Sequence, residues 1–146
     1  MALPSQENLE TILLVEDHLT LLELLKQILE RAGFTVLSAA NAKEARALEA
    51  GYPGAIDLLL SDVRMRGMSG PELAVKLMER RPQMRVVLMS GYPGGALLAL
   101  NYGWRYLQKP FVPSLLVQTV REVLLGEPQV YSSVSSPEKP AVRPSG

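Results

Sequence analysis

The feature that most constrains this chain is a series of five short apolar runs, set apart by stretches of a different period. The runs are TILLV (11–15), FTVLS (34–38), IDLLLS (56–61), RVVLM (85–89) and WRYLQ (104–108). Most are continuously apolar rather than alternating, as expected of strands covered on both faces. The intervening stretches carry helical spacing. Leu22, Leu25, Leu29 and Ala32 recur every three to four residues, with Gly33 placed as a C-terminal cap. Residues 41–51 open on Asn41 as an N-cap and close on Gly51. Pro71 suits a first helical turn, with Pro82 beyond that helix's end, and a last helix starts at Pro113 and stops at Gly126.

Strands alternating with helices imply a parallel sheet with right-handed crossovers. Five such units give an α/β, doubly wound, flavodoxin-like domain with a five-stranded parallel sheet in the order 2-1-3-4-5. The segment 91–103 leaves room for about two turns of helix. GYPG occurs at 51–54 and at 91–94, and both copies read as turn chemistry. Beyond Gly126, twenty residues hold four prolines and five serines. The expected organisation is an N-terminal extension (1–10), one domain (11–126) and a disordered tail or interdomain linker (127–146).

Composition removes several functional classes. The formal net charge is zero, so bulk electrostatics does not favour direct nucleic-acid binding. There is no cysteine and only one histidine, His18, which excludes thiolate and multi-histidine metal sites. No apolar run is long enough to span a bilayer, and MALPSQENLE lacks a signal-peptide pattern. A cytoplasmic location is expected, with no membrane contact by this chain itself.

In an open parallel sheet, ligands bind at the carboxyl ends of the strands. Glu16 and Asp17 follow the first strand, Asp62 the third, Ser90 the fourth and Lys109 the fifth. With the first and third strands adjacent, three carboxylates converge beside a hydroxyl and an ammonium. Such carboxylates repel one another unless a cation relieves them, and oxygen-only ligands suit magnesium. An anionic group on Asp62 would be held by that ion, Lys109, Ser90 and loop amides. This is a phosphoryl-transfer arrangement with Asp62 as nucleophile.

The motifs ILLVED, DLLLSDVRMRGMSGPEL, VVLMSGYP and YLQKPF, spread over about 12–111, resemble the receiver domains of two-component response regulators, especially those of hybrid histidine kinases. The resemblance implies Asp62 as phospho-acceptor. It implies Asp17 as a direct magnesium ligand, Glu16 acting largely through water, and the backbone carbonyl of Arg64 completing the protein's share of the shell. Lys109 would contact the phosphoryl group, and Lys109–Pro110 resembles the family's cis peptide. Ser90 would be the switch hydroxyl and Tyr106 the aromatic that turns inward in response. Arg64 and Tyr92 would flank the approach of a hydrolytic water. The implied partner is a histidine kinase or histidine phosphotransfer protein, and the implied output a conformational shift that controls a downstream protein. The domain would be no separate enzyme, although it would promote its own phosphorylation and dephosphorylation.

Two departures stand out. Arg66 occupies a loop position where the family usually has proline. The stretch from Ser90 to Lys109 is a few residues short, which alters the face around the fourth helix. Two other readings remain: a receiver-like binding module regulated without phosphorylation, and a small-molecule aspartyl-phosphate phosphatase or phosphotransferase. The latter commonly has a second aspartate two residues after the nucleophile, where this chain has Arg64. The chain carries no visible kinase or output domain, so it reads either as a single-domain regulator or as part of a hybrid kinase.

Overall fold

A computed structural model of the chain describes residues 9–92 and 94–126. The expected tail at 127–146, most of the expected extension at 1–10, and Pro93 of the second GYPG lie outside the described residues. Five strands alternate with five helices: β1 (Thr11–Val15), α1 (Leu19–Arg31), β2 (Thr35–Ala39), α2 (Ala42–Gly51), β3 (Leu58–Asp62), α3 (Gly70–Met78), β4 (Arg85–Ser90), α4 (Gly94–Tyr102), β5 (Arg105–Gln108) and α5 (Pro113–Leu125). The strands form one parallel sheet in the order β2-β1-β3-β4-β5, as the apolar runs imply.

The continuous apolar character of the central strands β1, β3 and β4 follows from burial on two sides. Leu13, Val15, Leu59, Val86 and Leu88 point to one face, under α2, α3 and α4. Ile12, Leu14, Leu58, Leu60, Val87 and Met89 point to the other, under Leu25 and Leu29 of α1 and Leu116 and Val120 of α5. Period-two geometry sends successive side chains to opposite faces, so both parities must be apolar here.

Local signals set the helix starts. Asn41 accepts the amide of Glu44 at 2.8 Å, and His18, the N-cap of α1, accepts the amide of Leu21 through Nδ1 at 3.2 Å. Ser69 and Glu72 form a reciprocal capping box at the start of α3. At the other end of α2, Gly51 takes no left-handed conformation, so no glycine cap forms there. Instead Arg81 donates to the carbonyls of Glu49 and Tyr52 and pairs with the buried Glu49 carboxylate at 2.8 Å. A side chain from a distant loop thus adds to the local cap, in which the Tyr52 amide donates to the Glu49 carbonyl at 3.3 Å.

Helix α4 is short, as the compressed 91–103 segment requires, and its sidedness is unusual. Its small residues Gly95 and Ala99 are buried, while Leu97 and Leu100 are 64 % and 70 % exposed.

Candidate functional site

Strand register assembles the site. Val15 of β1 lies opposite Ser61 of β3, so Glu16 and Asp62 come next along that ladder. Asp62 lies opposite Met89, and Ser90 opposite Gln108, which brings Ser90 and Lys109 to the same carboxyl edge. The alignment continues past the strands, with Lys109 donating its amide to the Ser90 carbonyl at 2.8 Å. Asp62 and Ser90 are the last residues of their strands rather than the first of the following loops. The strand therefore runs one residue past the apolar run, and Asp62 still belongs to the ladder.

The close approach of α3 completes the β3 end. Gly70 donates its amide to the carbonyl of Val63 at 2.9 Å. A Cβ at position 70 would fall 2.0 Å from the carbonyl oxygen of Asp62, so only glycine fits there. Sequence reasoning missed this residue and Ser69. The Ser-x-x-Glu pattern at 69–72 was a readable signal for Ser69, whereas nothing local marks Gly70 as a contact of Asp62.

Lys109 Nζ lies 2.6 Å from both Glu16 Oε1 and Asp62 Oδ1. The second Glu16 oxygen accepts the amide of His18 at 3.0 Å. Glu16 and Asp62 are buried, whereas Asp17 is exposed at the rim. Carboxylate oxygens of Glu16, Asp17 and Asp62 all lie within 4.8 Å of one another.

The electrostatics follow from crowding. Burial, then the hydrogen bond to Glu16, push the Asp62 carboxyl up to about 7, against the pull of Lys109. Burial opposes charge on Glu16 too, but its bonds to Asp62, Lys109 and the His18 amide prevail and hold it below its ordinary value. Burial also disfavours the Lys109 ammonium, yet Asp62 and Glu16 outweigh it and raise its pKa. Glu16 and Asp62 thus behave as a pair competing for one proton, with one ammonium between them. Three clustered carboxylates against that ammonium leave room for a divalent cation, and a donor set of oxygens alone fits magnesium.

The remaining candidates surround this centre. Ser90 is buried, and its hydroxyl is engaged with the next loop: it accepts the Tyr92 amide at 3.1 Å and donates to the Tyr92 carbonyl at 3.4 Å. Tyr106 is half-buried on β5 and donates to the carbonyls of Ser90 and Tyr92, each at 3.1 Å. Its ring therefore already lies inward, against the loop after β4. Arg64 is exposed beside the site, its guanidinium carbon 4.3 Å from the centre of the Tyr92 ring. Lys109–Pro110 is cis.

The chain belongs to the response regulator receiver domain family, whose match covers residues 12–121. It is 35 % identical over 115 residues to the C4-dicarboxylate transport transcriptional regulatory protein DctD of Rhizobium meliloti, covering 76 % of this chain and 24 % of that protein. It is 34 % identical over 117 residues to the sensor kinase CckA of Brucella abortus, covering 78 % of this chain and 12 % of that one. The match thus spans a quarter or less of these two relatives. Among solved structures, a CheY-like receiver domain protein from Methanospirillum hungatei superposes with a TM-score of 0.71 at 34 % identity, covering 80 % of this chain and 94 % of that one. The receiver domain of the hybrid histidine kinase CckA gives 0.67 at 33 % identity, with 78 % and 98 % covered. Among the described residues, no helix is long and apolar enough to cross a membrane.

Proposed function

We propose that this receiver domain accepts a phosphoryl group on Asp62 from a phosphohistidine of a histidine kinase or phosphotransfer protein. The observation that carries this reading is the placement of Lys109 Nζ at 2.6 Å from Asp62, inside the Glu16–Asp17–Asp62 cluster. An Asp62 oxygen attacks phosphorus, the bond from phosphorus to the imidazole nitrogen breaks, and the imidazole leaves with that electron pair. Glu16 holds Lys109 at the mouth of the site, and Lys109 then exchanges its contact with the carboxylate for one with a phosphoryl oxygen. Asp17, Asp62 and the Arg64 carbonyl would hold magnesium, which supplies positive charge for the phosphoryl oxygens. Glu16, with both oxygens engaged by Lys109 and His18, would act on the ion through water. Ser90 would release Tyr92 to donate its hydroxyl to the phosphoryl group.

A second reading draws on Tyr106. Its two hydrogen bonds hold the ring inward on the loop after β4, which supports a receiver-fold binding module whose output face is set independently of phosphorylation. One experiment separates the two. Wild type and Asp62→Asn are incubated with acetyl phosphate and magnesium, and intact mass is measured. A gain of one phosphoryl mass in the wild type alone is expected, and an unmodified wild type would favour the second reading.

A further inference from the structure

A groove of about 830 Å³ lies between α2 and α3 and is closed at one end by the loop that follows Asp62. Its charge is one-sided. Lys43, Arg46, Arg66, Lys76 and Arg80 line it. Against these five cations stand two carboxylates, Glu49 and Glu79, leaving a formal surplus of three in a chain whose net charge is zero. Glu49 is already committed, pairing with Arg80 at 3.2 Å and Arg81 at 2.8 Å. The side chains of Lys43, Arg46, Arg66 and Lys76 make no hydrogen bond or ion pair among the described residues, and all four are exposed. Like charges held together without partners raise the energy of the isolated surface, and an anionic partner would relieve it.

The shape of the groove narrows the kind of partner. On α2, Lys43, Arg46, Ala47 and Ala50 follow the spacing of a single helical face. Two exposed alanines on that face let another backbone come close, with cations on the same stripe. Met68 and the buried Leu77 add an apolar floor. The groove flanks the length of α2, about 15 Å for ten residues, which suits two to three turns of a partner helix. Among the described residues no aromatic side chain lines it, so they offer bases no stacking platform, and this argues against a single-stranded nucleic acid.

We propose that the α2–α3 groove docks an acidic amphipathic helix of a partner protein, its small apolar face on Ala47, Ala50 and Met68 and its carboxylates on Arg46, Lys76 and Arg66. This inference is independent of the phosphoryl site and stands even if Asp62 is never modified. Because Arg66 and Met68 lie on the loop after Asp62, a docked helix would touch the segment that borders that site.

The test uses the full chain and a fluorescein-labelled helical peptide with leucine at i, i+4 and i+7 and glutamate on both flanks. Binding is followed by anisotropy, and amide spectra locate it. The expected result is saturable binding with shifts confined to 41–51 and 66–80. The double variant Arg46→Glu/Lys76→Glu should bind about tenfold more weakly, as should wild type toward the same peptide with glutamine in place of glutamate. The neutralising pair Lys43→Gln/Arg66→Gln guards against a folding artefact and should also weaken binding. The proposal is overturned if the glutamine peptide binds equally well, if both double variants keep wild-type affinity while folded, or if the shifts lie elsewhere. Preferential binding of an oligonucleotide or an anionic vesicle to the same residues would overturn it as well.

Discussion

Gly95 is the reason Tyr106 lies where it does: a Cβ at position 95 would fall 2.9 Å from Cε1 of the Tyr106 ring. The same Cβ would fall 2.8 Å from that of Ser90, so the glycine makes room for both members of the expected switch pair. With that room built in, the inward position of Tyr106 does not require Ser90 to move first. Gly95→Ala should therefore push the Tyr106 ring outward or shift the end of β4. A stability loss of about 1–3 kcal/mol is expected from the overpacking. Urea unfolding reads the loss, and ring contacts of Tyr106 in nuclear magnetic resonance read the displacement. Wild-type stability with an unmoved ring would show that α4 yields instead.

Gly70 makes the corresponding contact at Asp62 itself. Its missing Cβ clears the Asp62 carbonyl, which would otherwise stand at 2.0 Å from it. Gly70→Ala must move α3 away from β3 or twist the Asp62 peptide. It is expected to cost at least as much as the Gly95 substitution, on the order of 3 kcal/mol. It should also slow phosphorylation, because Asp62 loses its alignment with Lys109. Parallel urea unfolding and acetyl phosphate time courses check both, and a stable variant phosphorylated at the wild-type rate would contradict the argument.

The central strands β1, β3 and β4 were legible because burial on two faces makes their runs continuously apolar, whereas the edge strands β2 and β5 are only partly buried and their runs are mixed. The edge residues were legible for a related reason. Glu16, Asp62, Ser90 and Lys109 each sit at or just past a strand end, and parallel register carries those ends to one place. The contacts made by Gly70, Gly95 and Arg81 were not legible. Each acts across elements distant in the chain, on a missing Cβ or on a carbonyl freed at another helix's end. GG at 94–95 reads locally as a turn, and only the β4–β5 pairing places Tyr106 over it.

The crowded carboxylates make stability depend on pH in a direction that can be worked out. Asp62 is raised from its ordinary 3.8 to about 7, chiefly by burial and then by Glu16. Between those values the folded chain keeps a proton that the unfolded chain has released, so stability falls as pH rises and the full penalty is reached above 7. The lowered Glu16 works oppositely at the acid end, its contribution being lost as pH falls through its folded value. On the proposed site, magnesium would bind the deprotonated cluster and should offset the penalty. Its addition should raise the thermal midpoint more at pH 8 than at pH 5. Asp62→Asn should flatten both the pH dependence and the magnesium response. An equal shift at both pH values would argue against Asp62 as the group that titrates.

Arg64 and Tyr92 are expected to control access to the same carboxylate. The Arg64 guanidinium lies over the Tyr92 ring at 4.3 Å, and Gly94 leaves space for that ring, since a Cβ there would fall 2.7 Å from Cε2 of Tyr92. Cation–π attraction at a partly exposed site is worth about 0.5–1 kcal/mol, enough to favour the stacked arrangement. Hydrolysis of a phosphoryl group on Asp62 needs a water in line with the bond from phosphorus to the carboxylate oxygen. Neither residue of the stack supplies a carboxylate or amide to orient that water, and both are bulky. The guanidinium could instead speed hydrolysis by stabilising charge in the transition state. Held on the ring from an exposed loop, it is poorly preorganised for that task. Slow self-dephosphorylation is therefore expected. Arg64→Asn combined with Tyr92→Glu removes the stack and supplies both an amide and a carboxylate. The double variant should lose phosphoryl mass about tenfold faster once the donor is removed, a change of about 1.4 kcal/mol in barrier. Tyr92→Leu keeps the bulk but abolishes the cation–π contact, and so should fall between the two. If the double variant decays at the wild-type rate or more slowly, these two side chains do not set the lifetime.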